Sequence, residues 1–248
     1  MECDVHTVRS VVCCLDGADG FRPYGATTSQ LCYSCSRSRR RLVLKQFIFI
    51  AGPCVIETPE TTFGIAEHLQ KVTSSLDVEF YFKASFDKAN RTSASAYRGP
   101  GLRDGLRILS NIKQRLNVRL VTDVHSVDQV APAADVVDII QIPAFLCRQT
   151  DLLIEAGRTG KCVNIKKAQF MAPLDMKYAV EKVESTGNKN ILVTERGATF
   201  GYNNLVVDFR SFSIMRTFGY PIVFDATHSV QIPSQGGKSS GNREYAIP

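Results

Sequence analysis

The stretch "VRLVTDVH", residues 118–125, decides the fold, because its apolar run stops at Asp123 and His125. Six other short apolar runs between residues 47 and 228 also end in polar or ionisable residues. The segments between the runs carry apolar residues at helical spacing. Strands that alternate with helices predict a parallel sheet, which is either doubly wound or closed as a barrel.

The residues that end the seven runs favour a barrel. In a (β/α)8 barrel the carboxyl ends of all strands converge on one site, so reactive residues recur from strand to strand. A doubly wound sheet would gather them near one switch point, and the sequence has no G-x-G-x-x-G or G-x-x-x-x-G-K-S/T loop. We therefore predict an α/β fold, a (β/α)8 TIM barrel with seven of its eight strands present. The residues at the seven ends are Cys54, Lys83 with Ser85, Asp123 with His125, Gln141, Lys166 with Lys167, Glu195 with Arg196, and Asp225 with His228.

Local signals predict two of the helices. Thr58 and Pro59 suit the N-cap and the first residue of a helix that continues through Ile65, Leu69 and Val72. A second helix is predicted between the second and third runs, where five apolar residues fall three or four positions apart and share one face. These five are Leu102, Leu106, Leu109, Ile112 and Leu116.

The composition is that of a single α/β domain of 248 residues. The formal net charge of +6 suits anionic ligands, but the positive residues are too scattered to indicate nucleic acid. No apolar stretch reaches the roughly 18 residues of a membrane helix, so no membrane association is expected. Five of the eight cysteines lie in the first 35 residues, which argues against a disulfide framework and favours a reducing, cytoplasmic location.

Residues 1–46 differ from the rest of the chain and carry no periodic pattern. Cys32 and Cys35 form one C-x-x-C pair, which is half of a four-ligand zinc site, and a basic cluster runs from Arg37 to Arg41. We predict a disordered extension over residues 1–46 and a barrel domain over residues 47–248. A targeting segment and translation upstream of the true start are alternatives for the extension.

Five cations are expected near the mouth of the barrel, namely Lys83, Lys88, Arg91, Lys166 and Arg196. Lys83 and Lys166 follow apolar runs directly, so neither is expected to be a solvated loop residue. A neutral substrate would not need so many cations. The sequence therefore predicts substrates with two anionic groups, which are most simply phosphates.

Seven motifs, in order over residues 47–241, resemble the family of 3-deoxy-D-manno-octulosonate 8-phosphate synthases. That family condenses phosphoenolpyruvate with D-arabinose 5-phosphate and water on a (β/α)8 barrel and releases phosphate. The resemblance implies both substrates and a role in making the Kdo sugar of lipopolysaccharide. The motifs are "FKASFDKANRTS" (82–93), "YRGPGL" (97–102), "TDVH" (122–125), "QIPAFLCRQTDLL" (141–153), "NIKKAQF" (164–170), "RGATFGYNNLVVD" (196–208) and "FDATHSVQ" (224–231).

The resemblance also implies site residues in this chain. Lys88, Asp123 and His125 are candidates to relay a proton to the aldehyde oxygen, with no order among them. Arg148 would reach a sugar phosphate across a subunit interface, which implies a homo-oligomer, a tetramer in the family. Asn90, Arg91 and Thr92 would bind the arabinose 5-phosphate together with Arg148. The residues implied to bind phosphoenolpyruvate are Lys83, Ser85, Lys88, Gln141, Pro143, Ala144, Lys166, Gln169 and Arg196.

A metal site is implied at Cys54 and His228. The family has metal-independent members with Asn at the end of the first strand and metal-dependent members with Cys there, and Cys54 matches the second kind. Thiolate and imidazole together suit Zn, Fe, Mn or a similar divalent ion. A small core cysteine and a substrate-binding histidine are the alternatives.

The chain ends shortly after "SQGGKSSG" (234–241), which resembles the mobile loop over the family's active site. By the resemblance, an eighth strand and two acidic metal ligands would follow this loop. We therefore expect a truncated barrel with an open edge between the first and seventh strands, low stability and weak or no activity. Two alternatives to this synthase are a non-catalytic remnant that binds sugar phosphates or joins intact subunits, and a synthase that uses another sugar acceptor.

Overall fold

The structure is a computed structural model, and it describes residues 10–15, 47–91, 93–233 and 240–241. The strands are β1 (Ser10–Leu15), β2 (Phe47–Gly52), β3 (Val78–Lys83), β4 (Arg119–Asp123), β5 (Ile139–Ile142), β6 (Cys162–Lys166), β7 (Ile191–Glu195), β8 (Ala198–Thr199), β9 (Leu205–Val206), β10 (Ile222–Asp225), β11 (Gln231–Ile232) and β12 (Ser240–Gly241). The α-helices are α1 (Pro59–Thr73), α2 (Leu102–Leu116), α3 (Val130–Ala134), α4 (Thr150–Arg158), α5 (Met176–Glu184) and α6 (Arg210–Arg216). Short 3-10 helices lie at Val127–Gln129, Ala144–Leu146, Pro173–Asp175 and His228–Val230.

Eight of the strands form a closed barrel in the order β1-β10-β7-β6-β5-β4-β3-β2. The strands from β2 to β7 and β10 pair in parallel with their neighbours and coincide with the seven apolar runs. The predicted barrel with seven parallel strands is therefore confirmed. Because these strands are parallel, their carboxyl ends lie together at one end of the barrel, which we call the mouth.

The eighth strand, β1, pairs antiparallel with both β2 and β10, so Cys13 lies opposite Phe49 on one side and Phe224 on the other. The prediction of an open edge between the first and seventh parallel strands is wrong, because β1 pairs with both edges. Ser10–Leu15 belongs to the extension for which the sequence predicts disorder, and it forms this strand. The strand was missed although its six residues form a short apolar run, because the rest of residues 1–46 carries no helical spacing that would mark an alternation of strands and helices. Residues 1–9 and 16–46, with Cys32 and Cys35, lie outside the described residues.

Two layers of side chains fill the inside of the barrel. The lower layer is apolar, and it contains Ile50, Val121, Ile139, Leu192 and Val223. Side chains on a strand return to the same face every two residues, so the next inward positions toward the mouth form the upper layer. Those positions on β4, β5, β7 and β10 are polar and buried, and they are Asp123, Gln141, Thr194 and Asp225. The upper layer is therefore polar, and it lies directly on the apolar lower layer.

The helices pack outside the barrel as their sequences predict. The Thr58 hydroxyl caps α1 by accepting a hydrogen bond from the Thr61 backbone N–H at 3.1 Å. Ile65 and Leu69 are buried in the core, whereas Val72 is 48% exposed near the end of the helix. The predicted apolar face of α2 joins the same core. None of the helices in the described ranges has both the length and the apolar character needed to cross a bilayer.

Candidate active site

The β3 side of the mouth holds two lysines around one carboxylate. Lys83 and Lys88 place their Nζ atoms 3.1 and 3.2 Å from Asp123 Oδ2. Both ammonium groups also donate to Ser85 Oγ at 2.8 Å, and the Ser85 hydroxyl donates to Asp123. Lys83 and Asp123 are buried at the ends of adjacent strands, and Lys88 reaches them from the loop after β3. The site therefore fixes two positive charges next to one another.

This arrangement determines the charge of each group. Burial alone would raise the pKa of Asp123, but Lys83 and Lys88 hold it well below its ordinary value. Burial lowers the pKa of Lys83 to about 8, although Asp123 opposes the shift. Burial also acts to lower the pKa of Lys88, but Cys54 and Asp123 outweigh it and raise that pKa. At neutral pH the cluster therefore carries a carboxylate and two ammonium groups.

The opposite side of the mouth is organised by Asp225, at the end of β10. Its Oδ2 atom accepts from Lys166 and lies 2.7 Å from His228 Nδ1, while its Oδ1 accepts from the His228 backbone N–H at 2.9 Å. The other ring nitrogen, His228 Nε2, lies 3.7 Å from Cys54 Sγ. Burial raises the pKa of the Cys54 thiol, but Lys88 and His228 together hold it well below its ordinary value. A thiolate therefore faces an oriented imidazole.

Three buried polar atoms at the mouth have no hydrogen-bond partner among the described residues: His125 Nδ1, Gln169 Oε1 and Arg196 NH1. The other terminal nitrogen of Arg196, NH2, donates to the His228 carbonyl and to Gln231 Oε1, both at 3.0 Å. An unsatisfied buried polar group costs about 1–3 kcal/mol. All three residues line one cavity, so polar groups inside it can complete these hydrogen bonds.

The loop between β3 and α2 forms one rim of the cavity. Arg98 Nε donates to Asp87 Oδ1 at 2.9 Å, and the Arg98 carbonyl accepts from the Lys88 backbone N–H at 2.8 Å. The Tyr97 carbonyl accepts from Arg91 Nε at 3.2 Å. These contacts position Lys88 and Arg91, and they use residues of the "YRGPGL" motif whose role was not assigned from sequence.

The cavity has a volume of about 210 Å³ and brings together most of the predicted site. Ser85 lies beneath it, within the buried cluster, and Arg148 is exposed and does not line it. Thr92 lies outside the described residues. The predicted residues that line the cavity are Cys54, Lys83, Lys88, Asn90, Arg91, Asp123, His125, Gln141, Pro143, Ala144, Lys166, Gln169, Arg196 and His228. Sequence reasoning missed Phe145, Gln231 and Pro233, although the motifs "QIPAFLCRQTDLL" and "FDATHSVQ" contain the first two.

A family model described as the DAHP synthetase I family matches residues 44–245, which is most of the chain. The chain belongs to that family. Its relatives include proteins named 2-dehydro-3-deoxyphosphooctonate aldolase in Trichlorobacter lovleyi, Desulfatibacillum aliphaticivorans and Geobacter metallireducens. They are 60%, 61% and 59% identical to this chain over 199, 201 and 202 residues. These alignments cover 80–81% of this chain and 73–74% of each relative.

Cys54 and His228 suit two of the ligands of a divalent metal ion. Two ligands of a tetrahedral zinc ion, with bonds of about 2.3 and 2.0 Å, lie roughly 3.5 Å apart, close to the 3.7 Å that separates Cys54 Sγ from His228 Nε2. Asp225 contacts the far ring nitrogen, as carboxylates do where they orient a metal-binding histidine. Within the described ranges, no group of three or more His, Cys, Asp or Glu residues is arranged to hold a metal. The residues described here therefore offer two candidate ligands.

Proposed function

We propose that this chain is a 3-deoxy-D-manno-octulosonate 8-phosphate synthase, which joins phosphoenolpyruvate to D-arabinose 5-phosphate with water and releases inorganic phosphate. The observation that carries the proposal is the cationic cavity, in which Lys83, Lys88, Lys166 and Arg196 surround one space. The names of the relatives describe the same enzyme, and their identity to this chain is about 60%.

The cavity suits phosphoenolpyruvate because that molecule carries a carboxylate and a phosphate within a few ångströms. Lys83 and Lys88 offer ammonium groups from one side, and Lys166 and Arg196 offer donors from the other. Arg196 NH1 and Gln169 Oε1 have no partners among the described residues, so they are available to the ligand and its bound water. Cations fixed before the reaction stabilise developing negative charge without reorganisation, and this is usually the largest catalytic contribution. Asn90 and Arg91 lie on the rim of the same cavity, where they would bind the sugar phosphate.

The reaction needs one bond to form between carbons, one water to add and one ester bond to break. The terminal carbon of phosphoenolpyruvate attacks the aldehyde carbon, water adds to the neighbouring carbon, and the carbon–oxygen bond to phosphate then breaks. Water gives up both of its protons overall: one goes to the aldehyde oxygen, and the other goes to the departing phosphate when the carbon–oxygen bond breaks, so no external acid is consumed. His125 suits the acceptor role, because burial lowers its pKa and leaves it neutral, with Nδ1 free of partners among the described residues. Lys88, whose pKa is raised, suits a hydrogen bond to the developing alkoxide.

Phosphate release from phosphoenolpyruvate tests the proposal directly. We expect release that depends on D-arabinose 5-phosphate and is not supported by erythrose 4-phosphate. Release with erythrose 4-phosphate alone would instead support a synthase with another acceptor. Binding of phosphoenolpyruvate without any turnover would support the non-catalytic alternative and overturn the proposal.

We also propose that Cys54 and His228 hold a divalent metal ion. When bound, such an ion would supply Lewis acidity, and the lowered pKa of the Cys54 thiol suits that residue as a ligand. The measurement is metal content by mass spectrometry after gel filtration, compared between the unsubstituted chain and Cys54→Ala. Equal metal content in the two proteins would contradict the assignment, whatever their activities.

The pKa of Lys83 predicts an alkaline limit to activity. The ammonium form binds phosphoenolpyruvate, and Lys83 in the free protein loses its proton as the pH rises through about 8. We therefore expect kcat/KM for phosphoenolpyruvate to fall above that pH, because this ratio reports ionisations of the free enzyme. Lys83→Arg keeps the charge at all accessible pH values and should remove this limb of the profile. If kcat/KM of Lys83→Arg falls at the same alkaline pH as that of the unsubstituted chain, the ionisation belongs to another group.

A homo-oligomer is part of the same proposal. Arg148 is exposed, and its segment also presents Phe145, which is 53% exposed. Phe170 and Tyr178, on the segments after β6, are 62% and 65% exposed. Large exposed apolar side chains favour contact with another subunit, where Arg148 would meet the partner's sugar phosphate. A monomeric mass by light scattering would contradict this part of the proposal.

A further inference from the structure

A chain of buried side chains crosses four adjacent strands beneath the cavity. The Thr194 hydroxyl on β7 donates to Asn164 Oδ1 at 2.6 Å, and Asn164 Nδ2 on β6 donates to Gln141 Oε1 at 2.9 Å. Gln141 Nε2 on β5 then donates to Asp123 Oδ1 on β4. We call these four residues the polar ladder. Asn164 is fully buried, and none of the other three is more than 4% exposed.

The register of the strands brings the four residues of the polar ladder together. Asp123 lies opposite Gln141, and Gln141 lies opposite Asn164, so three members are direct cross-strand neighbours. Thr194 lies two residues beyond Leu192, which is opposite Asn164. Side chains directly opposite on neighbouring strands are close enough to interact, and the barrel holds them at fixed spacing.

The charge of Asp123 sets the direction of every hydrogen bond in the ladder. An ionised carboxylate only accepts, so Gln141 must turn its NH2 group toward Asp123. The Gln141 carbonyl then faces β6, where only the NH2 group of Asn164 can meet it. The Asn164 carbonyl in turn faces the Thr194 hydroxyl, which must donate. Reversing any one amide would set carbonyl against carbonyl or carbonyl against carboxylate.

The two far members of the ladder make no contact with the cavity, because neither Asn164 nor Thr194 lines it. Burying amide and hydroxyl groups is unfavourable unless they are hydrogen-bonded, and apolar residues of similar volume often serve stability equally well. The layer immediately below uses such residues, including Ile139 and Leu192. A packing role alone therefore does not account for the polar residues at these two positions.

We propose that Asn164 and Thr194 are positioning residues that fix the Gln141 amide and, through it, the Asp123 carboxylate. With Oδ1 held by Gln141, Oδ2 faces Ser85, Lys83 and Lys88. The ladder thus sets the places of two ammonium groups that meet the substrate. This inference rests on the proposed function, since the ligand it serves is phosphoenolpyruvate.

Calorimetric binding of phosphoenolpyruvate without the sugar tests the ladder independently of turnover. Thr194→Val removes the hydroxyl and keeps the shape, and Asn164→Leu removes both amide groups. We expect each to raise the dissociation constant roughly 10-fold, because a misplaced Asp123 carboxylate weakens the contacts of Lys83 and Lys88 with the substrate by about 1.4 kcal/mol. Thr194→Ser restores the donor and should bind within about 2-fold of the unsubstituted chain.

Asn188→Ala provides the control for stability. Asn188 is also a buried amide, but it donates to the Gly157 and Lys161 carbonyls at the end of the barrel away from the mouth. It should lower the melting temperature and leave binding unchanged. If the unsubstituted chain binds phosphoenolpyruvate and folded Thr194→Val and Asn164→Leu bind it equally well, the positioning role of the polar ladder is overturned and the proposed function is not. Failure of the unsubstituted chain to bind phosphoenolpyruvate would overturn the proposed function and the ladder together.

Discussion

Asp123→Asn should reduce kcat by a factor on the order of 10²–10³, the size of effect seen when one fixed electrostatic contact is removed from an active site. The amide keeps the shape of the side chain but removes the negative charge that holds Lys83 and Lys88. It also places an NH2 group next to the Ser85 hydroxyl or the Gln141 amide, both of which donate to Asp123 in the unsubstituted chain. The measurement is steady-state phosphate release at saturating substrates, corrected for the folded fraction.

The same substitution should lower the free energy of unfolding by about 3 kcal/mol, because it leaves the buried Lys83 and the largely buried Lys88 without their counter-charge. The folded-state pKa of Asp123 lies well below the value of about 3.9 in an unfolded chain. The stabilisation is therefore present above that unfolded value and is lost as the pH falls toward the folded-state pKa. Between these two pH values, the free energy of unfolding of Asp123→Asn should therefore depend much less on pH than that of the unsubstituted chain.

Asp138→Asn is the matched control for Asp123→Asn. Asp138 also bridges an ammonium group and a second donor, since it contacts Lys113 at 2.8 Å and accepts from the Leu120 backbone N–H at 2.8 Å. It does not line the cavity. We expect Asp138→Asn to lower stability and leave kcat unchanged. Turnover by Asp123→Asn within 10-fold of the unsubstituted chain would remove Asp123 from the catalytic site.

The seven parallel strands and the position of the site were predictable because two local signals coincide. A buried strand reads as a continuous apolar run, and the first polar residues after it mark the carboxyl end. Lys83 and Asp123 were therefore expected at the mouth, where the structure places them. Convergence of the ends follows from parallel topology alone, so no distance was needed to predict one shared site.

The contacts within the site were not predictable, because they depend on which atoms meet across the barrel. Asp225 was recognised only as a strand-end residue, yet it holds both Lys166 and His228. That pairing depends on the turn from β10 into the following 3-10 helix, which brings the His228 ring back over the strand end. Asn164 and Thr194 read as ordinary strand positions, because the partner of a buried polar residue lies on another strand.

Closure by β1 was the largest departure from expectation, and Cys13→Pro should test it with a large effect on stability. Cys13 lies at mid-strand between β2 and β10. Proline has no backbone N–H, so it removes one backbone hydrogen bond between strands and leaves a carbonyl on a neighbouring strand unpaired. An unsatisfied buried carbonyl costs roughly 1–3 kcal/mol, and detachment of the whole strand would cost more. We expect the melting temperature to fall by about 5–10 °C, measured by circular dichroism.

Cys13→Val separates the backbone effect of proline from loss of the thiol, because valine keeps the N–H and favours strands. It should stay within about 0.5 kcal/mol of the unsubstituted chain. Hydrogen exchange then locates the effect: opening at β1 exposes the strands on either side, so amides of β2 and β10 should lose protection in Cys13→Pro while those of β5 keep it. Equal melting temperatures and equal protection in the two variants would mean that β2 and β10 are stable without β1. The barrel would then depend on its seven parallel strands alone, and the polar layer at the mouth would have to be held by their register.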